Sequence, residues 1–184
     1  NPLQLYFFIL SFYFLNRCKA EGPNKKWVSD ITYIWTEEGW MYLSVIIDLF
    51  SRMVVGWAMQ ETMTAAIVKS ALLKALRYRK HYAGLIFHSD RGSQYASYEF
   101  SNLLKANGII ASMSRKGDCY DNAVSESFFH TLKTELVHRQ KYETKRQAKS
   151  SVFEYIEGFY NLKRKHSSID YLSPIDFERT KKVA

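Results

Sequence analysis

The stretch Gly117–Phe128, GDCYDNAVSESF, contains three acidic residues, Asp118, Asp121 and Glu126. Carboxylates so close together repel one another unless a positive charge lies among them. A bound metal ion is one way to supply that charge. The first question that this sequence raises is therefore which of the three, if any, is a metal ligand.

A helix that starts near Asn122 separates these acids. At about 100° per residue, one arc of the helix carries the core-facing positions Val124, Ser125, Phe128, Phe129, Leu132 and Leu136. Glu126 points away from that arc, and Lys133 follows it on nearly the same line two turns later. Asp121 precedes the helix and is interpreted as its N-cap, while Asp118 lies in the preceding loop. Glu126 is therefore the candidate ligand.

Two further acids fall at special places. Asp30 lies inside a largely apolar segment, where a carboxylate is costly unless it is paired or bound to metal. Asp90 ends the apolar run Gly84–Asp90, and strand ends in α/β sheets are where sites form. Taken singly, Asp90 is also consistent with a turn aspartate and Glu126 with a solvated helix residue. Asp48 competes with Asp30, but in DLFSR it is interpreted as the cap of a turn.

Acids without His or Cys partners favour a hard cation, Mg²⁺ or Mn²⁺. Two such ions about 4 Å apart stabilise the attacking and leaving oxygens of an in-line phosphoryl displacement. We therefore expect Asp30, Asp90 and Glu126 to hold two Mg²⁺ (or Mn²⁺) ions and to act on a phosphodiester. The five His and two Cys show no zinc-site spacing.

The net charge of the chain indicates that this phosphodiester belongs to a nucleic acid. The 184 residues carry 26 Lys and Arg against 18 Asp and Glu, a net charge of +8, which favours a nucleic-acid partner. A basic protein without such a partner is the alternative. At 47% hydrophobic residues, the composition excludes a disordered chain. Cys18 and Cys119 form no motif, which favours a reduced, cytosolic setting.

The period of the apolar residues predicts the elements that position these acids. Three strands rich in β-branched and aromatic residues are predicted at about Trp27–Trp35, Trp40–Asp48 and Met53–Met59. Two more strands are predicted at Gly84–Asp90 and Ile109–Ser112. They alternate with predicted helices, which lie at Thr64–Arg79, at Ser97–Asn107, from near Asn122, at Lys145–Asn161 and after Ser173. The order βββαβαβα predicts an α/β fold with a mixed sheet and helices on its faces.

Five stretches of the sequence resemble the DDE transposases of bacterial insertion sequences, of the group whose catalytic part is similar to the retroviral integrase core. They are WVSDITYI, YLSVIIDLFSRMVVGW, FHSDRGSQYAS, SMSRKGDCYDNAVSESFFHTLKTEL and HSSIDYLSP, and they cover nearly everything from about Pro23 to Phe177. Between Asp90 and Glu126 lie 35 residues, the interval for which this family is named.

The resemblance implies an RNase H-like fold with Asp30, Asp90 and Glu126 as catalytic acids. It implies that Lys133 contacts DNA near the cleaved phosphate. It also implies that water cuts the element ends and that the freed 3′-hydroxyl then attacks another phosphodiester. The partners implied are DNA, both element ends and target, and further copies of the chain, at the nucleoid in the bacterial cytoplasm.

Basic and polar side chains in the loops beside Asp90 and before Glu126, and in a basic loop near the C-terminal end, are candidate DNA contacts. They are Arg91, Gln94, Arg115, Lys116, Lys163, Arg164 and Lys165. Solvated surface charges are the alternative for Arg115 and Lys116. His88 is either a DNA or site contact or a packed core histidine. Tyr155, Phe159 and Tyr160 keep helical spacing, which favours core packing over base stacking.

Residues 1–22 form an atypical apolar segment before a catalytic core predicted for residues 23–184, which includes a basic helical extension at its C-terminal end. The apolar run Leu3–Leu15 is shorter than the roughly 20 residues that a bilayer span needs, so we expect no membrane anchor. Family members carry an upstream helix-turn-helix region or use one from a partner reading frame. This segment does not resemble one, and we expect a truncated or frame-disrupted copy.

Two rival functions stay open at this stage. One is a structure-selective nuclease on the same fold, which strand-transfer products would exclude. The other is a catalytically idle remnant that only binds DNA through its basic face. The presence of all three acids and of Lys133 argues against decay of the site.

Overall fold

The computed structural model describes residues 20–80, 83–113 and 123–182. The strands are β1 (Lys26–Thr36), β2 (Gly39–Asp48), β3 (Val54–Gln60), β4 (Ile86–Ser89) and β5 (Ile110–Met113). The helices are α1 (Ala65–Tyr78), α2 (Tyr98–Ala106), α3 (Ala123–Glu135), α4 (Lys145–Phe153) and α5 (Pro174–Lys182). A π-helical segment, Glu154–Tyr160, continues α4, and short 3₁₀ turns lie at Val137–Arg139 and Ser167–Ile169. The predicted order of strands and helices is confirmed.

The five strands form one mixed sheet in the order β3-β2-β1-β4-β5. β1, β2 and β3 form an antiparallel meander, whereas β4 pairs parallel to both β1 and β5. The pairing of β4 with β1 covers only Lys26–Ser29 of β1. The rest of β1 extends past the end of β4 and is paired with β2 alone in the part of the chain that the structure describes.

Helices cover both faces of the sheet, and the alternation of β1 assigns each side chain to a face. Val28 and Ile34 pack in the core cluster that contains Phe128 and Leu132 of α3. Trp27 packs in the opposite cluster, with the buried residues of α1 and α2. Asp30 lies two residues from Val28 and therefore shares the α3 side of the sheet.

Side-chain caps and a glycine define several helix ends. The Ser97 hydroxyl accepts a hydrogen bond from the Phe100 N–H at 3.3 Å at the start of α2. At the start of α5, the Ser173 hydroxyl accepts from the Asp176 N–H at 3.3 Å and donates to the Asp176 carboxylate at 2.7 Å. Gly108 ends α2 with a φ of +65°. Thr64 precedes α1 but makes no side-chain cap.

The long C-terminal helix differs from its prediction, because its α-helical part stops at Phe153. In the π-helical segment, Tyr155 and Tyr160 lie five residues apart and are both buried, with ring centroids 6.2 Å apart. That spacing matches the wider π turn. Core packing is confirmed for these two rings and was wrong for Phe159, which is exposed.

The Asn161 side chain, directly after the π-helical segment, pairs with the backbone at the free edge of β3. It accepts from the Val54 N–H at 2.9 Å and donates to the Val54 carbonyl at 3.0 Å, as a neighbouring strand would.

Asp48 is completely buried and caps its turn, as predicted. Its carboxylate accepts from the backbone N–H groups of Asn24 at 2.7 Å and Phe50 at 2.9 Å. Arg79 lies 3.4 Å from Asp48 and forms a fork onto Glu178 with contacts of 2.7 and 2.9 Å. Burial raises the pKa of Asp48, although these hydrogen bonds and the Arg79 charge act in the opposite direction. This buried cluster fastens α5 to the end of α1.

Several predicted features lie outside the described residues. They are Arg115, Lys116, Asp118, Asp121, both cysteines and the apolar run Leu3–Leu15. Among the helices that are described, none has the length and hydrophobicity to cross a bilayer.

Candidate active site

The parallel pairing of β1 with β4 places Asp30 and Asp90 side by side. The two strands are in register through Ser29 and Ser89, and each aspartate is the next residue along. Neighbouring strands lie about 4.8 Å apart, and residues in register on parallel strands point to the same face. Both carboxylates therefore lie beside the carboxyl end of β4, on the α3 side of the sheet.

Backbone N–H groups orient one oxygen of each carboxylate. The Ile31 N–H donates to Asp30 Oδ1 at 2.7 Å, and the Gly92 N–H donates to Asp90 Oδ1 at 2.9 Å. A Cβ on Gly92 would lie 3.0 Å from Asp90 Oδ1 and 2.9 Å from Gln94 Oε1. Any larger residue at this position would therefore displace the Asp90 carboxylate or the Gln94 side chain.

A buried tyrosine that the sequence reasoning missed connects the two acid-bearing segments. The Ser29 hydroxyl donates to the Val45 carbonyl at 2.8 Å, so the Tyr95 hydroxyl donates to the Ser29 oxygen, 2.9 Å away. Burial raises the pKa of Tyr95, and the negative charges of Asp30 and Asp90 raise it further. Both carboxylates therefore act on one buried phenol.

The only sequence signal for this contact is the position of Tyr95, five residues after Asp90 in FHSDRGSQYAS. The Tyr95 ring packs with Phe87 and Phe100, at centroid distances of 6.4 and 5.6 Å. On sequence alone, such a tyrosine is indistinguishable from a core residue.

Glu126 lies in the first turn of α3 and is exposed. The predicted core face of this helix is confirmed, since Ser125, Phe128, Phe129 and Leu132 are buried. α3 packs against β1 and β2, on the side of the sheet that carries Asp30. Among residues 20–80, 83–113 and 123–182, however, no three His, Cys, Asp or Glu lie close enough to hold one ion. The structure thus brings Asp30 and Asp90 together and does not close a group of three with Glu126.

Lys133 is half-buried near the C-terminal end of α3. Its ammonium lies 5.0 Å from the centroid of the Tyr33 ring. Tyr33 is three residues past Asp30 on β1, in the part of the strand that β4 does not cover. Lys133 therefore reaches the open edge of β1 three residues past Asp30.

The other predicted contacts differ in how far they are exposed. Arg91, Lys163 and Lys165 are exposed. Gln94 is half-buried and donates to the Met63 carbonyl at 3.1 Å. The His88 Nδ1 lies 3.1 Å from the Ser112 hydroxyl, on the same side of the sheet as the aspartates.

Arg164 is committed to Glu135, with three contacts between 2.8 and 3.1 Å. Burial alone would raise the pKa of Glu135, but hydrogen bonds from Arg164 and Tyr155 outweigh it and hold that pKa below its usual value. In the same loop, burial lowers the pKa of His166 to about 4. The basic loop therefore presents Lys163 and Lys165, while Arg164 ties the loop to α3.

The donor chemistry of the site fits a hard divalent cation. Asp30 and Asp90 supply only carboxylate oxygens, which Mg²⁺ and Mn²⁺ prefer. One oxygen of each is already held by a backbone N–H. A metal ion between two neighbouring carboxylates would also relieve the repulsion between their charges.

Comparisons with known proteins extend this picture. A family model described as the integrase core domain matches residues 20–119, and a second model with the same description matches residues 126–181. The transposase for insertion sequence element IS904 of Lactococcus lactis is 49% identical over 161 residues, covering 88% of this chain and 64% of that protein. The transposase InsF for insertion sequence IS3A of Escherichia coli is 50% identical over 159 residues, covering 86% and 55%. The chain thus spans between about half and two thirds of the length of these relatives.

Solved structures show the same fold at lower identity. The HTLV-2 integrase catalytic core domain in complex with magnesium, in its trimeric form, has a TM-score of 0.66 at 18% identity, covering 86% of this chain and 99% of that chain. The simian T-cell lymphotropic virus intasome in complex with a PP2A regulatory subunit has a TM-score of 0.71 at 19% identity, covering 87% and 56%. The predicted RNase H-like fold is confirmed.

Proposed function

The chain belongs to the integrase core domain family, and we propose that it is the catalytic part of an insertion-sequence transposase, which cuts DNA strands and joins them to new sites. The observation that carries this proposal is the parallel register of β1 and β4, which sets Asp30 and Asp90 side by side. About 50% identity to bacterial transposases over most of the chain supports the same conclusion.

Asp30 and Asp90, with Glu126 from α3 as third ligand, would hold two Mg²⁺ or Mn²⁺ ions. Bound ions stabilise the attacking and leaving oxygens of an in-line phosphoryl displacement. The all-carboxylate donor set supports this assignment, as does the solved HTLV-2 integrase core in complex with magnesium. The chain's own part is to orient the ligands through the Ile31 and Gly92 N–H groups.

Contacts with DNA would come from the basic side chains around this end of the sheet. Lys133 reaches the Tyr33 ring three residues past Asp30, Arg91 and Gln94 follow Asp90, and Lys163 and Lys165 are exposed in the C-terminal loop. The net charge of +8 supports a polyanionic partner. Arg115 and Lys116, in the loop before α3, are proposed for the same role.

The proposed working state is a multimer of this chain on paired element ends at the nucleoid of a bacterial cell. Bacterial relatives and a solved core in dimeric and trimeric forms support this proposal. Recognition of the ends would come from a helix-turn-helix region in the same or in a partner reading frame, as the sequence resemblance implies.

A strand-transfer assay tests the proposed function. The purified chain is incubated with Mg²⁺ or Mn²⁺, a supercoiled plasmid, and a labelled duplex that ends in a free 3′-hydroxyl. We expect labelled DNA joined to the plasmid. Plasmid nicking without joined product would support the nuclease instead. DNA binding without any product would support the idle remnant.

Replacing Tyr95 by Phe tests whether the tyrosine positions the acids. The substitution removes the hydroxyl bound to Ser29 and keeps the ring between Phe87 and Phe100. Because groups that orient metal ligands are typically worth about 10- to 100-fold in metal affinity or activity, we expect a loss of that size in strand-transfer rate. Thermal unfolding should change little, since one buried hydrogen bond is worth about 1 kcal/mol.

The matched control for this experiment is Tyr142→Phe. The Tyr142 ring is also buried, and its hydroxyl accepts from Gln140 at 2.9 Å and lies 3.3 Å from Ser151, away from the aspartates. We expect a similar change in stability and an unchanged rate. Equal rates for Tyr95→Phe and wild type would show that the Ser29 contact is only a core hydrogen bond.

A further inference from the structure

Three large aromatic side chains stand exposed at the far end of the β1–β2 hairpin. Tyr33, Trp35 and Trp40 are 55%, 51% and 47% exposed. Trp35 is paired directly with Trp40 in the sheet register. The Trp40 ring centroid lies 5.1 Å from that of Tyr33 and 4.8 Å from that of Trp35. These three residues form one continuous surface, here called the aromatic patch.

The aromatic patch begins next to the proposed active site. Tyr33 is three residues past Asp30, or about 10 Å along the strand. The pairing of β1 with β4 ends at Ser29, one residue before Asp30. Lys133 reaches this edge from α3, with its ammonium 5.0 Å from the Tyr33 ring centroid. Alternation along β1 places Tyr33 and Trp35 on the face opposite Asp30, and Lys133 reaches the Tyr33 ring across the edge of β1 that β4 leaves open. A strand of DNA that leaves Asp30 over this edge passes Lys133 and then meets the aromatic patch.

The chemistry of this surface fits unpaired nucleotides. Proteins that hold single-stranded nucleic acid combine aromatic rings, on which bases stack, with cations that contact the backbone. The rings of the aromatic patch supply the first element and Lys133 supplies the second. A contiguous exposed apolar surface on a folded domain also marks an interaction site.

The charged side chains differ between the two ends of the aromatic patch, with Lys133 at one end and two glutamates at the other. Glu37 and Glu38 occupy the hairpin turn next to Trp35 and are exposed. The Glu38 carboxylate accepts from the Lys145 N–H at 2.7 Å, which fixes one negative charge at that end. Phosphates are therefore favoured on the Lys133 side and disfavoured at the turn.

We propose that Tyr33, Trp35 and Trp40 stack the unpaired bases of a DNA strand whose phosphodiester lies at Asp30 and Asp90. This inference rests on the proposed function and adds to it that the bound DNA is locally unpaired beside the site. A second copy of the chain seated on the same rings is the competing occupant, and the test separates the two.

Binding of tailed and blunt DNA duplexes to the Trp40→Thr variant tests the proposal. Threonine keeps the β propensity of this position and removes the ring that contacts both neighbours. Since stacking of one base is worth about 5- to 150-fold in affinity, we expect Trp40→Thr to weaken binding of a duplex with a single-stranded tail by a factor in this range. Blunt-duplex binding should change much less. Quenching of tryptophan fluorescence by the tail should be reduced as well.

Two controls make the result specific to stacking. Removing the bases of the tail, by abasic nucleotides, should weaken wild-type binding by about the same factor and should not weaken Trp40→Thr further. Tyr78→Ala removes a ring that is 69% exposed at the end of α1, outside the aromatic patch, and should bind tailed DNA like the wild type.

Other outcomes would overturn the proposal. Equal tailed-duplex affinity for wild type and Trp40→Thr would show that the aromatic patch does not hold bases, while strand transfer by the wild type would leave the proposed function standing. An unchanged affinity combined with a smaller assembly in solution would assign the rings to contacts between copies. If the wild type bound neither duplex, both the stacking surface and the proposed function would fail.

Discussion

Asp90→Asn is expected to abolish strand cleavage and joining while the chain remains folded. The substitution keeps the shape of the side chain and the oxygen that accepts from the Gly92 N–H, but it removes the negative charge that a divalent ion needs. Loss of a single group that stabilises charge in a transition state already costs about 10²- to 10³-fold. We expect at least the upper end of that range, because the ion itself is weakened. Asp30→Asn should behave in the same way.

Stability should move in the opposite direction to activity in these variants. Asp30 and Asp90 follow paired residues of adjacent strands, so their like charges repel when no ion is bound. Neutralising one of them is expected to leave the melting temperature unchanged or raise it without metal, and to remove the increase that Mn²⁺ produces in the wild type.

Single-turnover strand transfer would measure the rate, a Mn²⁺ titration would measure the metal affinity, and thermal unfolding would measure the melting temperature. Asp170→Asn makes the same chemical change at an exposed aspartate in the left-handed region, with a φ of 59°, and Asn tolerates that backbone. This control should keep full activity. Wild-type rates in Asp90→Asn would contradict the assignment of the catalytic acids.

Local patterns in the sequence were sufficient to predict the helices and strands and, for α3, which side chains face the core. The apolar period of α3 predicted its buried residues and left Glu126 outside the core, as the structure has it. The turn role of Asp48 also followed from its neighbours in DLFSR. These predictions succeed because caps, turns and amphipathic faces depend on residues within a few positions of one another.

Contacts between distant residues could not be predicted from the sequence in the same way. The register that pairs Ser29 with Ser89 is set by the packing of the whole sheet, and a shift of one residue would turn Asp90 to the other face. The sequence marked Arg164 as a DNA contact, because nothing local shows Glu135, 29 residues away, as its partner. The role of Tyr95 and the π-helical segment could not be predicted for the same reason, since each depends on how a side chain fits the core.

Arg79→Ala is expected to cause a large loss of stability. Arg79 is the cation of a cluster in which Asp48 is fully buried and Glu178 nearly so. It also donates to the Asn24 side chain at 2.9 Å. Removing one partner of a buried ionic cluster typically lowers the free energy of unfolding by about 3–5 kcal/mol, because the remaining charge has no compensation. Denaturant unfolding followed by circular dichroism would measure it.

The matched control and a second substitution distinguish this ionic effect from a simple loss of packing. Arg179→Ala removes an exposed arginine of α5 whose contact with Asp176 is 3.5 Å long, and should change stability by less than about 0.5 kcal/mol. The double variant Arg79→Ala/Glu178→Ala should lose less than the sum of the single losses, since it leaves fewer unpaired charges.

The stability that Arg79→Ala loses relative to the wild type should also become smaller in mildly acidic buffer. Without the arginine the already raised pKa of Asp48 rises further, and protonation then removes the buried charge that the variant cannot compensate. A loss that is small, additive and independent of pH would show that α5 is held by its apolar contacts instead.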